Sequence, residues 1–204
     1  MDKMKKLLPL SYKGEREYLH GSDFYNALAD ISVEFTGDAS AFVERLAFRR
    51  SARMACEITT EQPAEPSTVV GQVRFRVPAG ADSQEGWLVE TDGPVSGRRP
   101  FDEAALLANS SLDAESRCSS LPERSICTPI EDVIALTKQL NYAVCPEVSG
   151  KWMFGQLDLV EPLTGDYRKL EIRMKNLIAG RFSVNDIVVD GHKIGTIRFI
   201  MGAP

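Results

Sequence analysis

Apolar and polar side chains alternate through Leu170–Lys175, where Leu170, Ile172 and Met174 take turns with Glu171, Arg173 and Lys175. A period of two is the mark of a β-strand with one buried and one wet face. Asn176–Gly180 then interrupts the pattern as a turn or bulge, and Ile187–Val189 runs into Asp190-Gly191. Asp-Gly between two apolar runs predicts a hairpin, because both residues tolerate positive φ. A last strand, Ile194–Met201, sets Ile197, Phe199 and Met201 on one face. Strands packed this closely leave no room for crossover helices, so the sheet predicted over residues 170–201 is antiparallel.

A different period precedes this meander. Ile130, Val133, Ile134, Leu136 and Leu140 form a broad apolar helical face between Thr128 and Val144. Thr128 stands at the N-cap, Pro129 at the first helical position and Glu131 three residues after the threonine, a capping box; Pro146 ends the element.

The first half follows the same plan. A helix is predicted over roughly Ser22–Phe35, then strands at Ala41–Phe48, Arg53–Thr60 and Val69–Val77. Gly71-Gln72-Val73-Arg74-Phe75 echoes Gly195-Thr196-Ile197-Arg198-Phe199, and Phe42–Phe48 (FVERLAF) resembles Trp152–Leu159 (WMFGQLDL) in its place after a helix. An internal duplication is the economical explanation. It divides the chain into an N-terminal unit at 1–95, a connector at 96–126 and a C-terminal unit at 127–204. Residues 78–126 are predicted to hold a short strand at Trp87–Thr91, a turn at Asp92-Gly93-Pro94, a helix at Phe101–Ala108 and a Ser-rich stretch at Asn109–Ser125, a segment of the kind that serves as a lid, a binding loop or a mobile linker.

Helix, strand, long strand, aliphatic-Gly turn, Val-Asp-Gly and terminal strand is an order that resembles the hot-dog fold of acyl-thioester dehydratases and thioesterases. Leu177–Ile194 (LIAGRFSVNDIVVDGHKI) is similar to the penultimate hairpin of the beta-hydroxydecanoyl-thioester dehydratase family. The resemblance implies an α+β protein with two hot-dog-like units, each a helix wrapped by a curved antiparallel sheet. It also implies a substrate that is an acyl thioester of coenzyme A or acyl carrier protein.

Composition narrows the alternatives. With 43% hydrophobic and 26% charged residues the chain is that of an ordinary globular protein without a membrane span. Met1–Leu10 is basic and briefly apolar but too short for a signal-peptide core, so a cytoplasmic location is expected. Cys56, Cys118, Cys127 and Cys145 lack a Cys-x-x-Cys pair, and with two histidines in the chain neither a zinc site nor any other metal or cofactor is expected. A net charge of -5 disfavours nucleic acid as a partner. The local basic patch of Arg45, Arg49, Arg50 and Arg53, with Arg98-Arg99, is either a solvated face or a docking surface for coenzyme A phosphates or an acidic carrier protein. A duplicated chain is compatible with a monomer or a homo-oligomer of such pairs.

Candidate chemistry gathers at the two helix starts. His20 stands just before the first helix, and the resemblance places a dehydratase base there, with an acid on the second helix; Asp132 and Glu131 are the candidates. The familiar acid spacing on that helix is not reproduced by Pro129–Val133, and Glu131 already has a capping role. Thioester hydrolysis asks for less: Asp23, Glu131 or Asp132 at a helix start could activate water or attack directly, with Asn141 and Gln139 assisting. Tyr18, Tyr25 and Tyr142 either line an acyl tunnel or fill core, and His192 falls in the exposed hairpin. Thioesterase is the leading expectation, 3-hydroxyacyl-thioester dehydratase the second, and a noncatalytic acyl-chain or carrier-protein binding module the third. Nucleophile elbows, phosphate loops and dinucleotide fingerprints are absent from the sequence.

Overall fold

A computed structural model of the chain describes residues 4–78, 83–147, 149–178 and 180–202. Ala179, within the turn expected at Asn176–Gly180, lies outside the described residues, as do 79–82 of the expected connector and the first three residues of Met1–Leu10. Contacts divide the chain into two compact units, Met1–Phe101 and Asp102–Pro204.

The first unit contains β1 (Lys5–Leu7), β2 (Tyr12–Lys13), α1 (Gly21–Thr36), β3 (Phe42–Phe48), β4 (Cys56–Thr59), β5 (Val69–Arg76), β6 (Gln84–Glu90) and β7 (Arg98–Arg99). Its antiparallel sheet runs β1-β4-β6-β5-β3, while β2 and β7 form a separate parallel ribbon. Helix α1 ends where Gly37 adopts φ 76° and its N–H reaches the Val33 carbonyl at 2.7 Å, the left-handed cap that glycine accepts without strain. Phe24, Leu28, Ile31 and Phe35 of α1 are buried, as are Leu46, Ile58, Phe75 and Leu88 of the sheet. Each such side chain contributes about 1.5–3 kcal/mol through burial.

The second unit contains α2 (Glu103–Leu107), β8 (Ser111–Asp113), β9 (Cys118–Leu121), α3 (Pro129–Val144), β10 (Lys151–Leu159), β11 (Leu170–Ile178), β12 (Phe182–Val189) and β13 (His192–Gly202). The sheet order is β10-β13-β12-β11-β9-β8, and α3 packs on it. The capping box forms as expected, with the Thr128 N–H donating to Glu131 Oε2 at 2.8 Å. So does the hairpin: Asp190 and Gly191 take φ 49° and 86°, both in the left-handed region.

One expectation is corrected. The Ser-rich stretch Asn109–Ser125 is not a plain loop, because β8 and β9 extend the sheet from β11. Ser119, wholly buried, is satisfied from α3: its Oγ donates to Gln139 Oε1 at 2.7 Å, and Gln139 Nε2 donates in turn to the half-buried Ser110 Oγ at 3.0 Å. The short strand expected at Trp87–Thr91 does form, as β6 (Gln84–Glu90), and lies between β4 and β5 in the first sheet.

The sequence echo is structural. In the ladder of β3 with β5, Val43 faces Phe75, a bulge intervenes, and Arg45 faces Arg74; the register continues to Phe48 opposite Gly71. In the ladder of β10 with β13, Phe154 faces Phe199, a bulge intervenes, and Gln156 faces Arg198; the register continues to Leu159 opposite Gly195. Both glycines lie hard against the neighbouring strand. A Cβ on Gly71 would sit 2.4 Å from the Ala47 carbonyl oxygen, and one on Gly195 would sit 2.3 Å from that of Asp158. Ala47 and Asp158 occupy the same register position, so one steric requirement is met twice.

A third likeness lies farther along each sheet. Glu90 closes β6 and receives the amide N–H groups of Arg53 and Met54, just before β4, at 2.5 and 2.8 Å. Asp190 follows β12 and receives those of Arg168 and Lys169, just before β11, at 3.0 and 2.8 Å.

Candidate functional site

At the start of α1 the polar groups form an ionic cluster. His20 is the N-cap, and its Nδ1 lies 2.8 Å from Ser22 Oγ and 3.4 Å from the Ser22 amide. Lys13 is wholly buried; its Nζ donates to Ser22 Oγ at 2.7 Å, lies 3.7 Å from Asp23 Oδ1 and stands 4.0 Å from the Phe101 ring centroid. The parallel pairing of β2 with β7 sets Lys13 opposite Arg99, and the Arg99 guanidinium also bonds Asp23 Oδ1. Asp23 is therefore the counter-ion of two cations. Its second oxygen is buried with no hydrogen-bond partner among the described residues.

At the start of α3 neutral hydroxyls surround Asp132, with Glu131 beside it in the helix cap. Asp132 is wholly buried on the first turn. Ser125 Oγ donates to its Oδ1 at 2.5 Å, and the Tyr167 hydroxyl donates to its Oδ2 at 2.5 Å. Burial drives the Asp132 carboxyl above its ordinary range, and the hydroxyl bonds and the Ser125 amide offset this only in part. Burial, followed by the bond to Asp132, pushes the Tyr167 phenol upward, so it stays an O–H donor. Glu131, beside Asp132, caps the helix by accepting from the Thr128 amide and hydroxyl at 2.8 and 3.0 Å.

Ser125 also lines a cavity of about 460 Å³ whose wall includes Ala105, Leu106, Leu121, Pro122 and Arg124. Ile126 borders the same space and is 99% exposed. Asp132 reaches that space through Ser125.

The remaining candidates are dispersed. Arg50 is tied down by the carbonyls of Ser51, Ser67 and Thr68 and by Glu90. Arg49 is exposed, with its guanidinium 5.6 Å from the Trp87 ring, and Arg53 is exposed with its amide held by Glu90. Tyr25 is buried on α1, and Asn141 is buried on α3 with both side-chain polar atoms unpartnered among the described residues. Gln139 holds Ser119 and Ser110, and His192 is exposed at the start of β13. Sequence reasoning missed Lys13, Ser22, Ser125 and Tyr167, and read Arg99 as part of a docking patch where the structure sets it against Asp23. Proximity of Ser125 to the α3 N-cap was the one available hint; Tyr167 is 35 residues from Asp132 and carries no local mark.

No family model matches the chain, and no curated protein matches it in sequence. Solved structures do match. A protein of Novosphingobium aromaticivorans assigned as a thioesterase is 12% identical with a TM-score of 0.51, covering 99% of this chain and 95% of that one. The chain has a hot-dog fold. A TesB protein of Mycobacterium avium subspecies paratuberculosis is 11% identical over 99% of this chain and 92% of that one, with a TM-score of 0.49. The dehydratase domain of PpsC from Mycobacterium tuberculosis, solved with C12:1-CoA, is 11% identical over 98% and 92%, with a TM-score of 0.45. Identities this low speak to architecture, and one architecture hosts many reactions. Both hot-dog-like units are present, and among the described residues no helix is long and apolar enough to cross a membrane.

Proposed function

We propose that the protein hydrolyses acyl thioesters of coenzyme A or acyl carrier protein, with Asp132 as the acid–base group. One observation carries this reading: a wholly buried carboxyl, raised by its surroundings and gripped on each oxygen by a hydroxyl, communicates with an open cavity through one of them. A carboxyl lifted toward working pH is suited to take a proton from an attacking oxygen and return it to the departing thiolate. The apolar side chains of Leu106 and Leu121 suit an acyl chain, while Arg124 on the same wall supplies a positive charge for the carbonyl oxygen as it gains negative charge. Glu131 serves the helix start, and Asp23 anchors the cations beside His20.

The test is release of free thiol from acyl-CoA and acyl-carrier-protein thioesters of graded chain length. Asp132→Asn is expected to lower kcat by about a hundredfold or more. Silence across the whole panel removes the reading.

The burial of His20 at the start of α1, paired with Ser22, favours dehydration of a 3-hydroxyacyl thioester as the second reading. There His20 takes the α-proton, its imidazole titrating close to working pH. Full turnover of a 3-hydroxyacyl thioester by His20→Ala would exclude it.

A further inference from the structure

The geometry points to Ser125 as the nucleophile, carrying the acyl group as an ester between two half-reactions. This rests on the hydrolytic reading and names the oxygen that attacks. Two contacts and its position single out the residue. Its Oγ donates to Asp132 Oδ1 at 2.5 Å, so the base is already hydrogen-bonded to the proton to be removed. That same Oγ accepts the Cys127 amide N–H at 2.9 Å, which fixes its direction and stabilises charge on oxygen. It lies on the cavity wall, whereas Asp132 is wholly buried behind it. A water attacking under the control of Asp132 would have to displace this hydroxyl; the hydroxyl itself is already placed.

Asp132 is oriented from its far side. The Tyr167 hydroxyl donates to Oδ2 at 2.5 Å and leaves Oδ1 to Ser125. The arrangement is nucleophile, base and orienting group in series, each within hydrogen-bond reach of the next. Arg124, adjacent in the chain, lines the same cavity and brings a positive charge to it.

The step balances without an added cofactor. Oγ of Ser125 bonds to the thioester carbonyl carbon as its proton passes to Asp132; the C–S bond breaks, and the thiolate leaves with that proton as a free thiol. Water then attacks the serine ester, giving its proton to Asp132, which returns it to Oγ as the carboxylic acid departs. Apart from the substrate, water is the sole reactant consumed. The ligand class is an acyl thioester whose chain runs along Leu106 and Leu121, entering past the exposed Ile126.

The experiment has two arms on the full chain. In the first, acyl-CoA and acyl-N-acetylcysteamine with the same acyl group are hydrolysed in the presence of methanol. A common acyl-serine gives the same ratio of methyl ester to free acid from both donors, because the thiol has left before the ratio is decided. In the second, Ser125→Ala is expected to lower kcat by at least about a hundredfold, Ser125→Cys to accumulate a cysteine-bound acyl group seen by intact-protein mass spectrometry, and both variants to melt within a few degrees of wild type. Hydrolysis that depends on Asp132, yet gives donor-dependent ratios and survives Ser125→Ala, overturns the serine and leaves the hydrolytic reading standing. Absence of hydrolysis in the wild-type protein removes both.

Discussion

The ladders of β3 with β5 and of β10 with β13 repeat one register, one bulge and one glycine pressed onto a carbonyl, yet the helix starts of the two units are filled with opposite chemistry. In the first unit a buried lysine and an arginine converge on Asp23, and a histidine is joined to them through Ser22. In the second, a single acid is held by two neutral hydroxyls. What the two units share is backbone sterics, which tolerate little change. The polar groups at the helix start are free to diverge, because a cluster need only satisfy its own charges and hydrogen bonds. An ionic cluster gives rigidity; an acid without a cation beside it keeps a raised affinity for its proton.

The largest expected effect breaks the ionic side of this contrast. Lys13→Met removes a wholly buried ammonium and leaves Asp23 to Arg99 alone, whose side chain is 41% exposed. Urea unfolding is expected to show a loss of about 3 kcal/mol, the lower end for breaking a buried pair by removing one member. Lys13→Met combined with Asp23→Leu should recover part of that loss, since no charge is then stranded. A double variant as unstable as the sum of its parts would show that the cluster is not a charge-balanced unit.

Next comes the shared ladder. Gly71→Ala and Gly195→Ala each force a Cβ to within 2.4 Å of a backbone carbonyl oxygen. Each should cost about 2 kcal/mol by overpacking, and the two penalties should agree. Gly180→Ala is the control: an added Cβ meets nothing within 4 Å, and only φ 68° opposes it, for about 1 kcal/mol. Unequal losses at Gly71 and Gly195 would break the claim that the units repeat one steric requirement.

A smaller effect is expected at the carboxylates that close β6 and follow β12. Burial tends to raise the Glu90 carboxyl, but the Met54 amide, Arg50 and the Arg53 amide outweigh it and hold the group below its ordinary range. A carboxylate with a lowered folded pKa contributes stability above the unfolded value of about 4.3, and that contribution fades as pH falls through the folded value. Glu90→Gln should therefore cost about 1 kcal/mol near neutral pH and less in acid. Melting curves across pH check this; a penalty unchanged by pH would assign the effect to packing.

Much of this scaffold was legible in the chain. The capping box at Thr128 and Glu131, the Asp190-Gly191 turn and the Gly71–Phe75 and Gly195–Phe199 echo are local patterns, and each produces the geometry expected of it. What escaped was made by partners distant in sequence. Ser111–Asp113 and Cys118–Leu121 are too short and too polar to read as strands, and become so by pairing with each other and with β11, while Gln139 satisfies Ser119. Lys13 gives no sequence hint of being buried, since its burial depends on Ser22, Asp23 and Phe101. The candidate acid Asp132 could be named from its place on the helix, but Tyr167 reaches it only through the fold.

The subtlest prediction concerns the neutral side of the contrast. Since burial raises the Asp132 carboxyl in the folded protein, ionising it there is harder than in the unfolded chain. The stability tied to this group is complete below the unfolded pKa and is lost as pH rises through the folded one. Asp132→Asn removes the titration while keeping an acceptor for one hydroxyl and offering a donor to the other, which can reverse its bond. The variant should therefore melt above wild type near neutral pH, with the gain shrinking toward acid, even as it loses hydrolysis. A gain in stability paired with a loss of turnover is the signature of a group kept for chemistry at the expense of the fold. If Asp132→Asn instead destabilises equally at every pH, the acid is a structural fixture of the α3 start, and the two helix starts differ in composition without differing in purpose.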